Sequence, residues 1–136
     1  MIERLNFGAY DAVQPDASVI GGISAVMDIF AAARPVEVGV VVHAWGGAAA
    51  IMASYHAAFA AGGMLVENPM LDFPLAAEMM GEEGRIEEGH LIRPTAPGLG
   101  LTLTPEIEAR YPFDESAVYS CMLSDYGPPP DEYWQR

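Results

Sequence analysis

Three short apolar runs, each closed by an ionisable residue, alternate with stretches of helical spacing. Tyr10 to Gln14 is a strand candidate that Pro15 ends and Asp16 follows. Val38 to Val42 reads Val-Gly-Val-Val-Val and leads into His43. Met64 to Val66 leads into Glu67 and stops near Pro69. A continuous β-branched run without alternation predicts a strand buried on both faces, as in a parallel sheet. Between the runs, Gly21-Gly22 and Ser24 open a helix with Ile23, Val26, Met27, Phe30 and Ala31 as its apolar stripe, and Pro35 stops it. Gly46-Gly47 precede a second helix, Ala48 to Ala61, which Gly62-Gly63 end. Each strand–helix unit is about 25 residues long. That alternation predicts βαβ units with right-handed crossovers. The three strands then point the same way, and their C-terminal ends share one rim.

The fold class expected is α/β, a partial (β/α)8 TIM barrel built of three βα units and a C-terminal return segment. Residues 1–72 form the partial barrel, 73–113 the return or capping segment, and 114–136 a tail. Ile2, Leu5 and Phe7 ahead of Gly8 read as the end of a helix. Leu75 to Met80 and Pro105 to Tyr111 read as short helices. Gly84 to Leu103 reads as a small β excursion with a turn at Pro97-Gly98-Leu99-Gly100. Gly127 to Asp131 is a stiff extended segment, and Tyr133 and Trp134 are expected to pack on the body or on another chain.

Composition narrows the classes of function. The net charge is −13 over 136 residues, so phosphate backbones and anionic membrane surfaces are repelled and neither is an expected partner. Ala44 to Val66 is apolar, but its Ser54, Tyr55 and His56 fit a buried helix with its flanking strand better than a membrane span. The single cysteine, Cys121, builds no internal disulfide, and Met1-Ile2-Glu3-Arg4 opens no signal peptide. A cytoplasmic location is expected.

The chemistry sits on the rim, where barrel active sites lie. His43 can move a proton near neutral pH. Asp16, one strand away, can accept a hydrogen bond from the imidazole and set its tautomer. Glu67 can hydrogen-bond a substrate carboxylate oxygen, donating to it if protonated. The bland alternative is that Asp16 is a helix cap and His43 is satisfied locally. Three ionisable groups at the same place in successive units favour a site. Trp45 follows on the rim and either lines a substrate pocket or packs there. His56 reads as structural, His90 as a surface residue, and Glu82, Glu83, Glu87 and Glu88 as a solvated loop.

The segments Asp11-Ala-Val-Gln-Pro-Asp16, Gly21-Gly22-Ile23, His43-Ala-Trp-Gly46, Leu65-Val-Glu-Asn-Pro69 and Pro97-Gly-Leu-Gly100 resemble the enolase superfamily. Within its mandelate racemase and muconate lactonizing enzyme family, they are most similar to the mandelate racemase branch, which includes acid-sugar dehydratases. The likeness runs from about Gly8 to about Tyr111. The muconate-lactonizing branch carries a Lys around the sixth strand, and no Lys stands between Tyr10 and Gly21.

The resemblance implies the last three units, the sixth to eighth, of the barrel. It implies an enzyme that takes the α-proton of a hydroxy-acid carboxylate to form a magnesium-stabilised enediolate. His43 matches the acid/base of the seventh strand, Asp16 its partner on the sixth, and Glu67 the carboxylate-side group of the eighth. The family's magnesium ligands lie on the third to fifth strands and match nothing here, so no metal ligand and no cofactor are expected within these 136 residues. The expectation is a piece of a racemase or dehydratase, inactive alone. The alternative is a non-catalytic module whose open sheet edges drive homo-oligomer formation or docking on a partner.

Overall fold

A computed structural model describes residues 1–69 and 73–115. Cys121 and the expected tail features at Gly127 to Trp134 lie outside the described residues.

Among the described residues, six α-helices and four short strands run in the order α1 (Ile2–Leu5), β1 (Ala12–Val13), α2 (Ala17–Ile20), α3 (Ile23–Ala33), β2 (Gly39–Val40), α4 (Ala48–Ala61), α5 (Pro74–Met80), β3 (Ile86–Glu87), β4 (His90–Leu91) and α6 (Pro105–Arg110). β1 and β2 pair in parallel, Ala12 with Gly39 and Val13 with Val40. The pairing continues beyond the regular ladder. Gly39 N–H donates to Asp11 O at 2.9 Å, Val41 N–H to Val13 O at 3.1 Å and His43 N–H to Pro15 O at 2.9 Å. On the other side of the same segment, Glu67 N–H donates to Val42 O at 3.0 Å, and Val42 and Val66 form a parallel bridge. Three parallel segments therefore lie side by side, with the His43 segment in the middle.

Two strand expectations are corrected. The Met64 to Val66 segment makes a single bridge rather than a strand. Met64 and Leu65, 95% and 65% exposed, have no ladder or core to hold them extended. The run Val38 to Val42 is not buried on both faces. Val42 is fully buried and Val38 and Val40 pack on a core cluster, while Val41 is half-buried and Gly39 exposed. Successive strand residues face opposite ways, so His43 shares the more open face with Val41.

The helices cover the other face. In α3 the buried positions are Val26, Ile29 and Ala33, not the expected Met27 and Ala31, and Ile23 and Phe30 pack alongside. The buried stripe thus sits a fraction of a turn from the predicted one. α4 is the central helix. Its small residues Ala57 and Ala58 let it approach α3, Val26 and Val42, while Ala48, Ile51, Met52 and Tyr55 face the segment that follows. Phe73, Ala76, Met79, Met80, Leu91, Leu99 and Leu101 join this second cluster, so residues 73–101 share a core with the βα units. Among the described residues no helix is long and apolar enough to cross a membrane.

The expected β excursion is a hairpin, Ile86 opposite Leu91 and Glu87 opposite His90. Glu88 and Gly89 both have positive φ at its tip, the backbone of a type I′ turn. The acidic residues around it are solvated, as expected, but not all are idle. Glu83 Oε2 accepts from Thr95 N–H at 2.5 Å and pins the turn that follows, a role that a run of glutamates does not advertise.

Candidate active site

The site starts with a proline and a carboxylate. Pro15 leaves no N–H to continue the ladder, and Asp16 turns the chain into α2. Its side chain caps that helix: Oδ1 accepts from Ser18 N–H at 2.7 Å and from Ser18 O–H at 2.6 Å. The sequence reading did not foresee α2, although its cap and the left-handed Gly21 (φ 112°) that closes it are both standard signals. The other oxygen, Oδ2, lies 2.6 Å from His43 Nδ1. Asp16 and His43 also bridge in parallel through their backbones. Asp16 thus caps α2 with one oxygen and meets His43 with the other.

Burial pushes the Asp16 carboxyl up, but the hydrogen bonds from Ser18 and His43 outweigh it and hold the group below its ordinary value. An ionised carboxylate only accepts. His43 Nδ1 therefore carries the proton in this bond, and in the neutral imidazole Nε2 is left as the basic nitrogen. That nitrogen faces Glu67 Oε2 at 3.7 Å. The gap is too wide for a hydrogen bond. Glu67 Oε2 is buried and without a hydrogen-bond partner, although the two side chains are each 38% exposed. Two acceptors thus face each other across an open gap. A group that brings a hydrogen into it would satisfy both.

The structure brings Asp16, His43 and Glu67 together at the ends of adjacent parallel segments. Trp45 sits two residues beyond His43, its ring edge-on to Phe73 at 5.3 Å between centroids. Two further side chains, missed from the sequence, hold the flanks. Ser54 Oγ, fully buried in α4, accepts from Ala17 N–H at 3.4 Å. Tyr55, its neighbour, donates its hydroxyl to Asn68 Oδ1 at 2.9 Å. A Ser-Tyr pair in an alanine-rich helix gives no sign of which loops it meets. His56 and His90 lie outside this cluster; His90 is exposed, with Nδ1 3.0 Å from Glu88 O.

The family model described as enolase C-terminal domain-like matches residues 2–107. The chain belongs to this family. Among curated proteins it is similar to arabinonate dehydratase of Saccharolobus solfataricus, 30% identical over 103 residues. The match covers 76% of this chain and 28% of that protein, so the chain spans under a third of the relative's length. No solved structure gives a significant match. Membership of the enolase superfamily agrees with the resemblance of the strand-end motifs, and the barrel-type character of the domain agrees with parallel βα units.

Members of the superfamily generally use magnesium. The described residues do not fit such a site: no three His, Cys, Asp or Glu side chains among them are placed to hold a metal ion. Asp16 is already occupied on both oxygens by Ser18 and His43.

Proposed function

We infer that this enolase superfamily segment supplies the proton-transfer side of an active site acting on a hydroxy-acid. The observation that supports it is the position of His43, with Nδ1 bonded to Asp16 and Nε2 open toward Glu67. In this reading the three parallel segments correspond to strands six to eight of a (β/α)8 barrel in the mandelate racemase branch.

His43 Nε2 takes the α-proton, and the electron pair of the C–H bond moves into the carboxylate to give an enediolate. Asp16 stays ionised and stabilises the imidazolium that forms. Glu67, in its protonated form, donates to the carboxylate oxygen as negative charge develops there. Returning the proton to the same face of the carbon restores the substrate, and racemisation needs a second acid on the opposite face, outside the described residues. Delivering it to a departing β-hydroxyl gives water and dehydration. The name of the similar protein, arabinonate dehydratase, directs the substrate class to acid sugars. Magnesium, where the complete family site has it, would be held by residues other than those described, and none of these steps is assigned to it.

The test is loss of the α-proton signal of acid sugars in D2O with magnesium. A chain in which this segment is joined or paired with the rest of a family barrel should exchange the proton, and His43→Asn should abolish the exchange. Exchange that survives His43→Asn would remove the assigned role. The 136-residue chain by itself is expected to be inactive, and turnover by it would overturn that expectation.

A second reading rests on Met64 and Leu65, which stand exposed beside the bridge at Val66. An open apolar edge of this kind pairs with another chain. The segment would then persist as a self-associating module without catalysis.

A further inference from the structure

The two acidic partners of His43 lie on different loops, and neighbouring residues of α4 hold both. Ser54 engages the start of α2, next to Asp16. Tyr55 engages Asn68, next to Glu67. Both side chains are buried, and Ile51 and Met52 fix the helix around them in the same core. Burial pushes the Tyr55 hydroxyl up, so it remains a donor throughout the working pH range. Asn68 is exposed and otherwise held only by its own segment.

The geometry points to Tyr55 as a positioning residue, whose hydroxyl, rigid in the core, sets the gap between His43 Nε2 and Glu67 Oε2 through Asn68. The argument is one of leverage. Glu67 is tied to the neighbouring segment by its own N–H on Val42 O. Val66, just before it, bridges to Val42 and packs on both neighbouring core clusters, while Met64 and Leu65 ahead of it are exposed. Glu67 is thus held on its N-terminal side, and without a second tie after it the chain beyond can turn and its carboxylate can swing out of the 3.7 Å gap. The Tyr55–Asn68 bond is that second tie. Asp16 needs no such help, because Ser18 fixes its carboxylate directly.

This inference rests on the reading of His43, Asp16 and Glu67 as one site, and the experiment separates the two. In the isotope-labelled 136-residue chain, the Nδ1–H proton of His43 should appear far downfield, as expected for a short bond to a carboxylate. A nuclear Overhauser contact should join the His43 ring to the Glu67 γ-methylene. Tyr55→Phe and Asn68→Ala should both keep the downfield proton and lose the contact severalfold. Asn68→Asp, which preserves an acceptor for the hydroxyl, should retain it. Asn68→Ala is made on an exposed residue and guards against a core variant that fails to fold. A contact at full strength in either folded variant overturns the positioning role. Unfolding of both variants overturns it too, since the bond would then be structural only. Absence of the downfield proton or of the contact in the unaltered chain sinks the site reading, and the positioning role with it.

Discussion

His43 Nδ1 lies 2.6 Å from one oxygen of Asp16, and the other oxygen caps the helix that follows. One carboxylate thus joins an imidazole to a helix start. The cap fixes the plane of the carboxylate, and the carboxylate fixes the tautomer of the imidazole. Fold and chemistry cannot be separated at this residue by deletion, but they can be separated by choice of substitution.

Asp16→Asn keeps a capping oxygen, since Asn caps about as well as Asp. Its amide nitrogen is then turned toward His43, which must reverse its tautomer to accept. The expected result is an unfolding free energy within about 1 kcal/mol of the unaltered chain, with the downfield Nδ1–H signal gone. In a complete enzyme the same change should slow proton abstraction by about 10⁴-fold, as wrong-tautomer substitutions do. Asp16→Ala loses the cap as well and should cost about 0.5–2 kcal/mol more. Urea unfolding and proton spectra of both variants check this. Equal stability of the two would show that the cap contributes nothing.

Asp16 also predicts an acid response. Its folded pKa lies below the ordinary value of 3.8, so the folded state binds fewer protons than the unfolded state. The stabilisation is fully present above the ordinary value and is lost as pH falls through it toward the lower folded value. Glu78, Glu83 and Glu106 are shifted the same way. The informative quantity is therefore a difference. Thermal melts of the unaltered chain should lose more between about pH 5 and pH 3 than melts of Asp16→Asn. Parallel curves would mean that the carboxylate is not held ionised by the fold.

The site was legible because a strand period repeats a position. Asp16, His43 and Glu67 each follow a short apolar run, and parallel pairing brings such positions to one rim without knowledge of any side-chain contact. What the sequence did not disclose were relations set by tertiary contact. Whether Asp16 caps or pairs depends on its two oxygens, and residue spacing does not distinguish between them. Tyr55 meets Asn68 only because α4 packs under both flanking loops. The third strand shrank to a bridge because, among the described residues, Met64 to Val66 has a neighbour on one side only, and apolar composition does not supply another. The same holds for Val41, whose apolar character promised a second covered face that the described helices do not provide.

The shared core makes a prediction about cooperativity. Ile51 is buried in α4 in the cluster that also takes Ala76, Leu91, Leu99 and Leu101. Ile51→Ala removes three heavy-atom groups from that cluster and should cost about 2–5 kcal/mol. Far-ultraviolet dichroism and Tyr or Trp fluorescence should still report one coincident transition. Two separated transitions would show that residues 73–113 unfold as a unit of their own.

The exposed edge gives the last prediction. Val66 bridges to Val42, yet Met64 and Leu65 beside it are 95% and 65% exposed. An apolar, β-prone edge stays monomeric only when charge or cover blocks it, and none of residues 62–66 is charged. The net charge of −13 opposes association at low salt but is screened beyond about 10 Å at 0.1 M salt. Association should therefore strengthen as salt is raised. Leu65→Lys places a charge on the edge and should shift sedimentation toward the monomer at every salt concentration. It also leaves Asp16, His43 and Glu67 untouched, so the downfield His43 proton should persist. A chain that stays monomeric at high concentration and high salt would dispose of the self-association reading while leaving the proton-transfer reading intact.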